Sequence, residues 1–376
     1  MNNLRTLYGF ELKKIIKNRL TIAMMVILII LTVIEGVNPG SSTTREMWDA
    51  QRSLNGRLID DTLLNEMYSK IDAHGRTWKA DNIQYYGVAY VESCIVGDKE
   101  PLSEYSAADM YSEREYYMDS MMKHDGLTEK EIEWWKDNEA KIDKPFIYSF
   151  VGGAVDIAQG LVGICVCVML IAAMCISTVF TSEHRQRTDQ IVLSCMNGRK
   201  ETYIAKIMAG FSIIIVSSIL AAGFLMLIVY LRKGLDGFST IVQMEIPMSG
   251  YSITLGEFIT IQLVILFIAG ILFAAFAMAA SELIKNSMAV MGIMVGLFIF
   301  SQIEIIPDSF RLLSQIRSMI PSNLISLYSL MEYRLVSVGR HLITEYVASP
   351  IIYLIISIIL VIVGGIAYNR FQVTGR

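Results

Sequence analysis

Charge is what this sequence has least of. Only 18% of its 376 residues are Asp, Glu, Lys or Arg, against about a quarter in an ordinary soluble domain, and the mean hydropathy is +0.47. A purely soluble enzyme is excluded by that balance. Histidine is scarcer still, at four residues. His74 and His124 lie far apart, neither has a second ligand at metal spacing, and both read as surface residues. The five cysteines are odd in number and contain no CxxC pair, and Cys165, Cys167 and Cys175 sit inside an apolar run. That rules out a paired zinc motif or an even disulfide framework and leaves small core residues. No GxxxxGK[ST] phosphate loop, HExxH, dinucleotide fingerprint, Ser/His/Asp set or nucleic-acid module occurs. No catalytic residue and no metal site is expected, and neither is a cofactor bound by this chain or a nucleic-acid partner.

Long apolar runs are what the sequence has instead. A bilayer's hydrocarbon core is about 30 Å thick and takes about 20 apolar residues to cross as a helix. Six stretches approach that: 20–37, 154–180, 207–230, 257–280, 288–306 and 350–368. They are continuously apolar and do not alternate, which indicates helices rather than barrel strands. The expected fold is all-α, a polytopic membrane protein with six transmembrane helices. The first run follows a charged segment and lacks a small-residue cleavage site, so it reads as an uncleaved anchor.

Lys and Arg in short flanks are retained in the cytoplasm. Residues 1–19, 181–206, 281–287 and 369–376 together hold thirteen basic and five acidic side chains, counting Lys206. Residues 38–153 hold thirteen basic and twenty-two acidic ones, a net charge of −9. Both termini, the 181–206 loop and the 281–287 turn are therefore expected in the cytoplasm. Residues 38–153, 231–256 and 307–349 are expected outside a cell membrane. Within residues 1–19, Leu4, Leu7, Tyr8, Leu12 and Ile15 share one helical face while Lys13 and Lys17 point away, the pattern of a helix lying among lipid headgroups.

The outer segment 38–153 is long enough to fold on its own. It is expected to be mainly helical, with Leu54, Leu58, Leu64, Tyr68 and Ile71 on one helical face. Thr128 with Glu131 forms a capping box before Trp134 and Trp135. No Asn-Gly hairpin or β-branched run argues for a sheet. Tyrosine is plentiful there, including Tyr85, Tyr86, Tyr90, Tyr105, Tyr111, Tyr116 and Tyr117. Such rings suit a small core or the reception of an amphipathic guest, and the acidic balance would steer cationic peptides toward it.

Carboxylates at mid-bilayer would mark an ion-driven transporter. Glu35, Asp156, Glu257 and Glu304 instead fall at the outer ends of their spans, where water and headgroups would solvate them. They are either interfacial residues or an acidic rim on an outward path, with Glu35 and Asp156 its foremost members. Span interiors carry small residues (Gly160, Gly163, Ala269, Gly270, Ala274, Ala275, Gly292 and Gly296) that permit close helix approach.

The segment from Ser182 to Lys206 can form a short helix with Ile191 and Val192 apolar between charged neighbours, ended by Gly198. A stiff amphipathic knob of that kind suits a groove on a soluble protein. The segment resembles the loop after the second span of ABC-2-type transporter permeases. Such loops carry a Glu, a Thr five residues on, an apolar stretch, an Arg in a turn and a Lys entering the next span. Those positions are Glu183, Thr188, Ile191 with Leu193, Arg199 and Lys206. Where the family often has Gly and Pro, this chain has Arg187 and Asn197-Gly198. The amphipathic N-terminal helix, six spans, and a Leu/Ile-rich segment 307–349 broken by Pro321, resembling re-entrant helices, extend the likeness.

The resemblance implies a membrane subunit without its own ATPase. A separate cytoplasmic ABC ATPase would bind ATP and Mg and dock through Glu183, Arg187, Thr188, Ile191, Val192, Leu193, Arg199 and Lys206. A second permease, copy or paralogue, would complete an assembly of two permeases and two ATPases among membrane lipids. The long segment after the first span resembles permeases of Gram-positive bacteria that expel antimicrobial and toxin peptides, which implies amphipathic or hydrophobic peptide cargo. Lipid-like or drug-like cargo is the alternative, and a non-transporting sensor with a ligand-binding outer domain is a further one.

Overall fold

The computed structural model describes residues 2–38, 44–70, 80–97, 106–181, 200–303, 310–339 and 341–370. Five helices are long and apolar enough to cross a membrane. They are α2 (Arg19–Val37), α8 (Gly152–Ile171, which runs on to Thr181), α9 (Lys200–Lys233), α10 (Leu255–Ile284) and α14 (Glu345–Arg370). Around them lie α1 (Asn2–Ile16), α3 (Arg45–Arg52), α4 (Asp61–Tyr68), α5 (Tyr86–Val96), α6 (Ala107–His124) and α7 (Glu129–Glu139). The shorter α11 (Ser287–Gln302), α12 (Arg311–Ser318) and α13 (Pro321–Leu324) complete the described α-helices, beside short 3-10 turns at Ala80–Tyr85, Val242–Met244 and Leu327–Met331. The protein is an all-α polytopic membrane protein.

The spans pack in an order set by their side chains. α8 is the most enclosed, with 67% of its apolar window buried, whereas α2 and α14 bury 28% and 22% and present Ile and Val faces outward. Small residues let α8, α9 and α10 approach. A Cβ on Gly270 would come within 2.8 Å of Ile214, and one on Gly160 within 2.8 Å of Leu225. In α8 a π-helical turn over Ala172–Ile176 shifts the ladder, so that Ser177 N donates to Ala172 O. Buried Gln262 of α10 donates to Ala158 O of α8 at 3.0 Å and to Ile325 O just past α13 at 2.6 Å. One amide thus fixes three segments in an apolar interior, where an unmade hydrogen bond costs about 1–3 kcal/mol.

The structure corrects several expectations. Of the run expected at 288–306, the described helix covers Ser287–Gln302, 16 residues that reach about 24 Å, less than the hydrocarbon thickness, and residues 304–306 lie outside the described residues. A Cβ added at Gly292 or Gly296 would meet nothing within 4 Å, so neither glycine serves helix contact among the described residues. The face expected from Leu54 to Ile71 is broken, because α3 ends at Arg52 and α4 starts after Asp60, which caps it through Leu63 N. Leu58 instead bridges Ile147 and is exposed, and Ile71 lies outside the described residues.

In the 307–349 segment the run breaks at Pro321 as expected: α12 ends at Ser318 and α13 begins at Pro321, which occupies the first turn where its missing N–H is not needed. That segment also holds a hairpin, β1 (Val336–Val338) against β2 (His341–Ile343), with Val336 opposite Ile343 and a turn through Gly339 at φ +65°.

The described residues between 44 and 150 form a mainly helical domain, and Thr128 with Glu131 makes the expected capping box at α7. It is not a separate body. Fully buried Arg114 donates to Pro247 O at 2.6 Å and Ser249 O at 2.7 Å and pairs with Glu139. Trp135 Nε1 donates to Tyr333 O at 2.6 Å, and its ring meets those of Tyr251 and Tyr333 edge-on at 4.8 and 5.4 Å. Asn138 donates to Gly250 O at 2.7 Å, while Glu131 pairs with Arg311 and accepts from Leu335 N. The domain core is therefore shared with residues 231–256 and 310–335, which supply the carbonyls that Arg114 and Trp135 donate to. Of the tyrosines, Tyr85 and Tyr111 are buried, Tyr86 and Tyr116 are exposed, and Tyr105 lies outside the described residues. His124 is exposed, as expected, and His74 lies outside the described residues. Cys165, Cys167 and Cys175 are buried core residues.

Two carboxyls in the domain have opposite environments. Burial pushes Glu92 up to about 7, opposed by the Tyr68 hydroxyl that donates to it. Donation from Arg57 and then Tyr85 holds the solvent-facing Glu66 down at about 2.

Replacing Arg114 with Met leaves the Pro247 and Ser249 carbonyls without their donor and takes from Glu139 one of its two cations, Lys144 being the other, and is expected to cost about 3 kcal/mol. Tyr116→Ala, at an exposed site, should stay within about 0.5 kcal/mol. Thermal unfolding of the purified protein compares the two, and equal midpoints would refute the shared core. Glu92 binds its proton more tightly folded than unfolded, where its pKa is about 4.3. The stability it confers is full below that value and is lost as the pH rises toward 7. Glu66 acts in the opposite sense: its stabilisation is full above about pH 4 and is lost as the pH falls through about 2, so it does not change between about pH 5.5 and about pH 8. Unfolding midpoints should therefore be higher at about pH 5.5 than at about pH 8, and Glu92→Gln should shrink the difference. An unchanged difference in that variant would contradict the assignment.

Candidate functional site

The 34-residue α9 is about 51 Å long, well beyond a hydrocarbon core. Its two buried lysines, Lys206 and Lys233, stand about 40 Å apart along the axis, and each is held by a carboxylate from another helix. Between them the helix carries one further ionised side chain, Arg232, next to Lys233.

At one end, Lys206 is fully buried and its Nζ lies 3.6 Å from Glu11 of α1. The same ammonium donates to Val179 O at 3.2 Å and sits 5.3 Å from the centre of the Phe180 ring. Val179 belongs to the last turn of the helix that ends at Thr181, where carbonyls lack intrahelical donors and the helix dipole is negative. Lys206 thus satisfies an orphan carbonyl, an aromatic face and a carboxylate at once. Three aromatic rings cluster beside it, tilted or edge-on to one another: Phe180 to Tyr203 at 5.7 Å, Phe180 to Tyr368 at 5.7 Å and Tyr203 to Tyr368 at 5.6 Å. Tyr203 donates to Val361 O of α14 at 2.5 Å, and glycine at 364 makes the room, since a Cβ there would stand 3.0 Å from the Tyr203 hydroxyl.

Thr181 and Lys200 are the two roots of the segment 182–199. Within a turn or two, the Lys200 root is fastened to α1 through Lys206 and to α14 through Tyr203, and the Thr181 root meets α14 through Phe180 and the Lys200 root through Val179 O. Among the predicted docking residues, Lys206 is described and lies inside α9 rather than at a surface. Glu183, Arg187, Thr188, Ile191, Val192, Leu193 and Arg199 lie outside the described residues. The apolar face of α1 alone had placed that helix among the headgroups. In the structure it packs along α9, with Tyr8 donating to Ser212 at 3.0 Å and Ile15 buried. Its polar members, Tyr8 and Glu11, do the fastening. Lys13 and Lys17 are exposed, as expected.

At the other end, Lys233 Nζ lies 2.7 Å from Asp156 of α8 and 4.9 Å from the centre of the Trp48 ring, and both charged side chains are 6% exposed. Neighbouring Arg232 donates to Gly36 O of α2 at 2.6 Å, and Arg52 of α3 donates to Asp236 at 2.6 Å and to Lys233 O. This knot joins α2, α3, α8 and α9. Gly237, at φ +85° with Val151 Cα 2.7 Å from where a Cβ would stand, lets the following loop turn against α8.

The four acids expected at an outer rim therefore divide. Asp156 is neither solvated nor free, a correction whose cause is Lys233, 77 residues away in sequence. Glu257 caps α10, accepting from Thr254 N at 2.8 Å while its own N–H donates to Thr254 Oγ1 at 3.2 Å. Glu35 lies against Gly163 of α8, in a groove between α2 and α8. Glu304 lies outside the described residues. Among the described residues no group of three or more His, Cys, Asp or Glu could hold a metal ion.

The arrangement is two buried ion pairs at the ends of one long helix, one of them at the roots of the segment 182–199. Glu11→Gln removes the carboxylate that lies 3.6 Å from the buried Lys206 ammonium, and should cost about 3 kcal/mol. Pairing it with Lys206→Met should recover more than half of that loss in a double-mutant cycle. Additive effects would show that the two groups do not act as a pair.

Residues 5–374 match the family model described as ABC-2 family transporter protein. No curated protein and no solved structure matches the chain.

Proposed function

The chain belongs to the ABC-2 family of transporter proteins, and on that premise we propose that it is the permease subunit of an ATP-driven exporter of amphipathic or hydrophobic peptides. Its family supplies a membrane component, with ATP hydrolysed on a separate subunit. On this reading a cytoplasmic ABC ATPase carrying ATP and Mg docks on the segment 182–199, with Ile191, Val192 and Leu193 in its groove and Glu183, Arg187, Thr188 and Arg199 around them. A second permease, copy or paralogue, completes the assembly. The termini and the 182–199 segment face the cytoplasm of a Gram-positive cell, and the acidic domain faces outward.

The observation that carries this reading is the fastening of both roots of that segment. Force applied between Thr181 and Lys200 has no slack to take up, because Lys206 and Tyr203 tie the roots to α1 and α14. A packed helix is stiff, so displacement at its end is passed along its length. At the far end of α9 the Lys233 knot delivers that displacement to α2, α8 and the domain. A segment built only to connect two spans would need none of these ties. The peptide cargo is supported by an aromatic, acidic domain placed directly over the spans.

Co-expressed with its ATPase, the chain should purify as a complex containing two permeases and two ATPases. Ile191→Asp places a charge in the apolar knob and should abolish complex formation. Undiminished complex formation and ATP-coupled export in that variant would overturn the docking assignment.

A further inference from the structure

Two cavities lie one above the other along the seam between α2 and α8. The lower, about 280 Å³, is lined by Leu28, Leu31, Ile164 and Leu170, with Glu35 at its rim beside Gly163. Among the described residues no hydrogen-bond donor or cation pairs with the Glu35 carboxylate. A carboxylate beside a lipid-accessible apolar groove is costly to keep there, and such residues mark ligand sites by default. Gly163 is what admits it, since a Cβ at that position would stand 2.7 Å from Glu35 Oε1.

The upper cavity, about 380 Å³, opens where α2 ends at Asn38 and α8 begins. Tyr86, Tyr90 and Tyr148 form its aromatic wall, and Asp156, Lys233 and Glu245 supply its charge. Asp156 and Lys233 neutralise each other at 2.7 Å. That leaves Glu245 as the uncompensated group, and burial, with Asp156 nearby, pushes its carboxyl up to about 7. Along α8 the lining passes from Asp156 and Gln159 in the upper cavity to Gly163 and Cys167 in the lower, a continuous run of one helix face.

We propose that this seam binds an amphipathic cation, its apolar part in the lower groove and its ammonium or guanidinium group at Glu35, below the aromatic and acidic cleft. The chemistry is selective in both halves. An anion meets Glu35 and Glu245 and is repelled, while a neutral chain fills the groove without neutralising the carboxylate. Aromatic faces above favour a cation further. As a binding site the seam stands on its own geometry; as the cargo site it rests on the exporter reading.

The test uses the full chain in neutral phosphatidylcholine nanodiscs and radiolabelled dodecylguanidinium, with binding to empty nanodiscs subtracted. Saturable binding is expected, competed by unlabelled cation but not by dodecyl sulfate or dodecyl maltoside. Glu35→Gln keeps size and shape and should weaken binding about tenfold, the loss of one ion pair of about 1.4 kcal/mol, and Glu245→Gln should weaken it less. Asp137→Asn, at an exposed site on the domain, should change nothing. Gly163→Leu fills the groove and should abolish binding, with an unchanged unfolding midpoint in Glu35→Gln as the control for folding. Equal affinity for cationic and neutral chains, or unchanged binding in Glu35→Gln, would overturn the proposal. Binding needs no ATPase, so a site that binds in a chain that does not export would sink the exporter reading alone.

Discussion

An ammonium group that water cannot reach must be met by a carboxylate, and α9 meets that condition twice. Lys206 and Lys233 are both buried, and Glu11 and Asp156 come to them from α1 and α8. Breaking such a pair costs more than forming it gains, because the partner left behind stays buried and charged. The pairs therefore act as constraints on geometry more than as sources of stability. They fix where α1 lies, where α8 ends relative to α9, and how the domain seats on the bundle. Between these two ends the described interior is held by apolar packing, close glycine contacts and single amides such as Gln262.

That division between charged ends and an apolar middle suits a protein that carries a push without supplying it. The π-helical turn in α8 lies between the two ion pairs, close to the Lys206 end. It shifts the ladder by one residue and aims Val179 O and Phe180 at the Lys206 ammonium. The aromatic cluster of Phe180, Tyr203 and Tyr368 then ties the same end to α14. At the opposite end the domain adds its own ties through Arg52, Trp48 and Arg114, so that bundle and domain share one set of contacts. Membership of the ABC-2 family gives this architecture a role, since such a membrane component works with an ATPase on another subunit.

Much of this was legible in the residues, and the rest was illegible for definite reasons. Five of the six predicted spans lie within helices long enough to cross, because hydropathy over about 20 residues is a local property. The Thr128–Glu131 cap was legible for the same reason. The sixth run looked complete because Ile303, Ile305 and Ile306 continue its hydropathy, yet the described helix stops at Gln302. Asp156 and Lys233 gave no sign of one another, since hydropathy and flank counting treat each charge alone. α1 was read from its apolar face, and nothing in one sequence shows that Glu11 would find Lys206. Pro321 marked the break between α12 and α13 correctly, as proline cannot continue a helix but can open one. The resemblance carried by Glu183, Thr188, Arg199 and Lys206 reached the family through a segment most of which lies outside the described residues.

The claim on which the account turns is that the 182–199 segment and the acidic domain lie on opposite sides of the membrane. Two native thiols test it directly: Cys195 in the segment and exposed Cys94 in the domain. In variants keeping one or the other, a membrane-impermeant maleimide should label Cys94 on intact cells and label Cys195 only after the cells are opened. Labelling of Cys195 on intact cells would contradict the account, because no cytoplasmic ATPase could then reach the roots that Lys206 and Tyr203 hold.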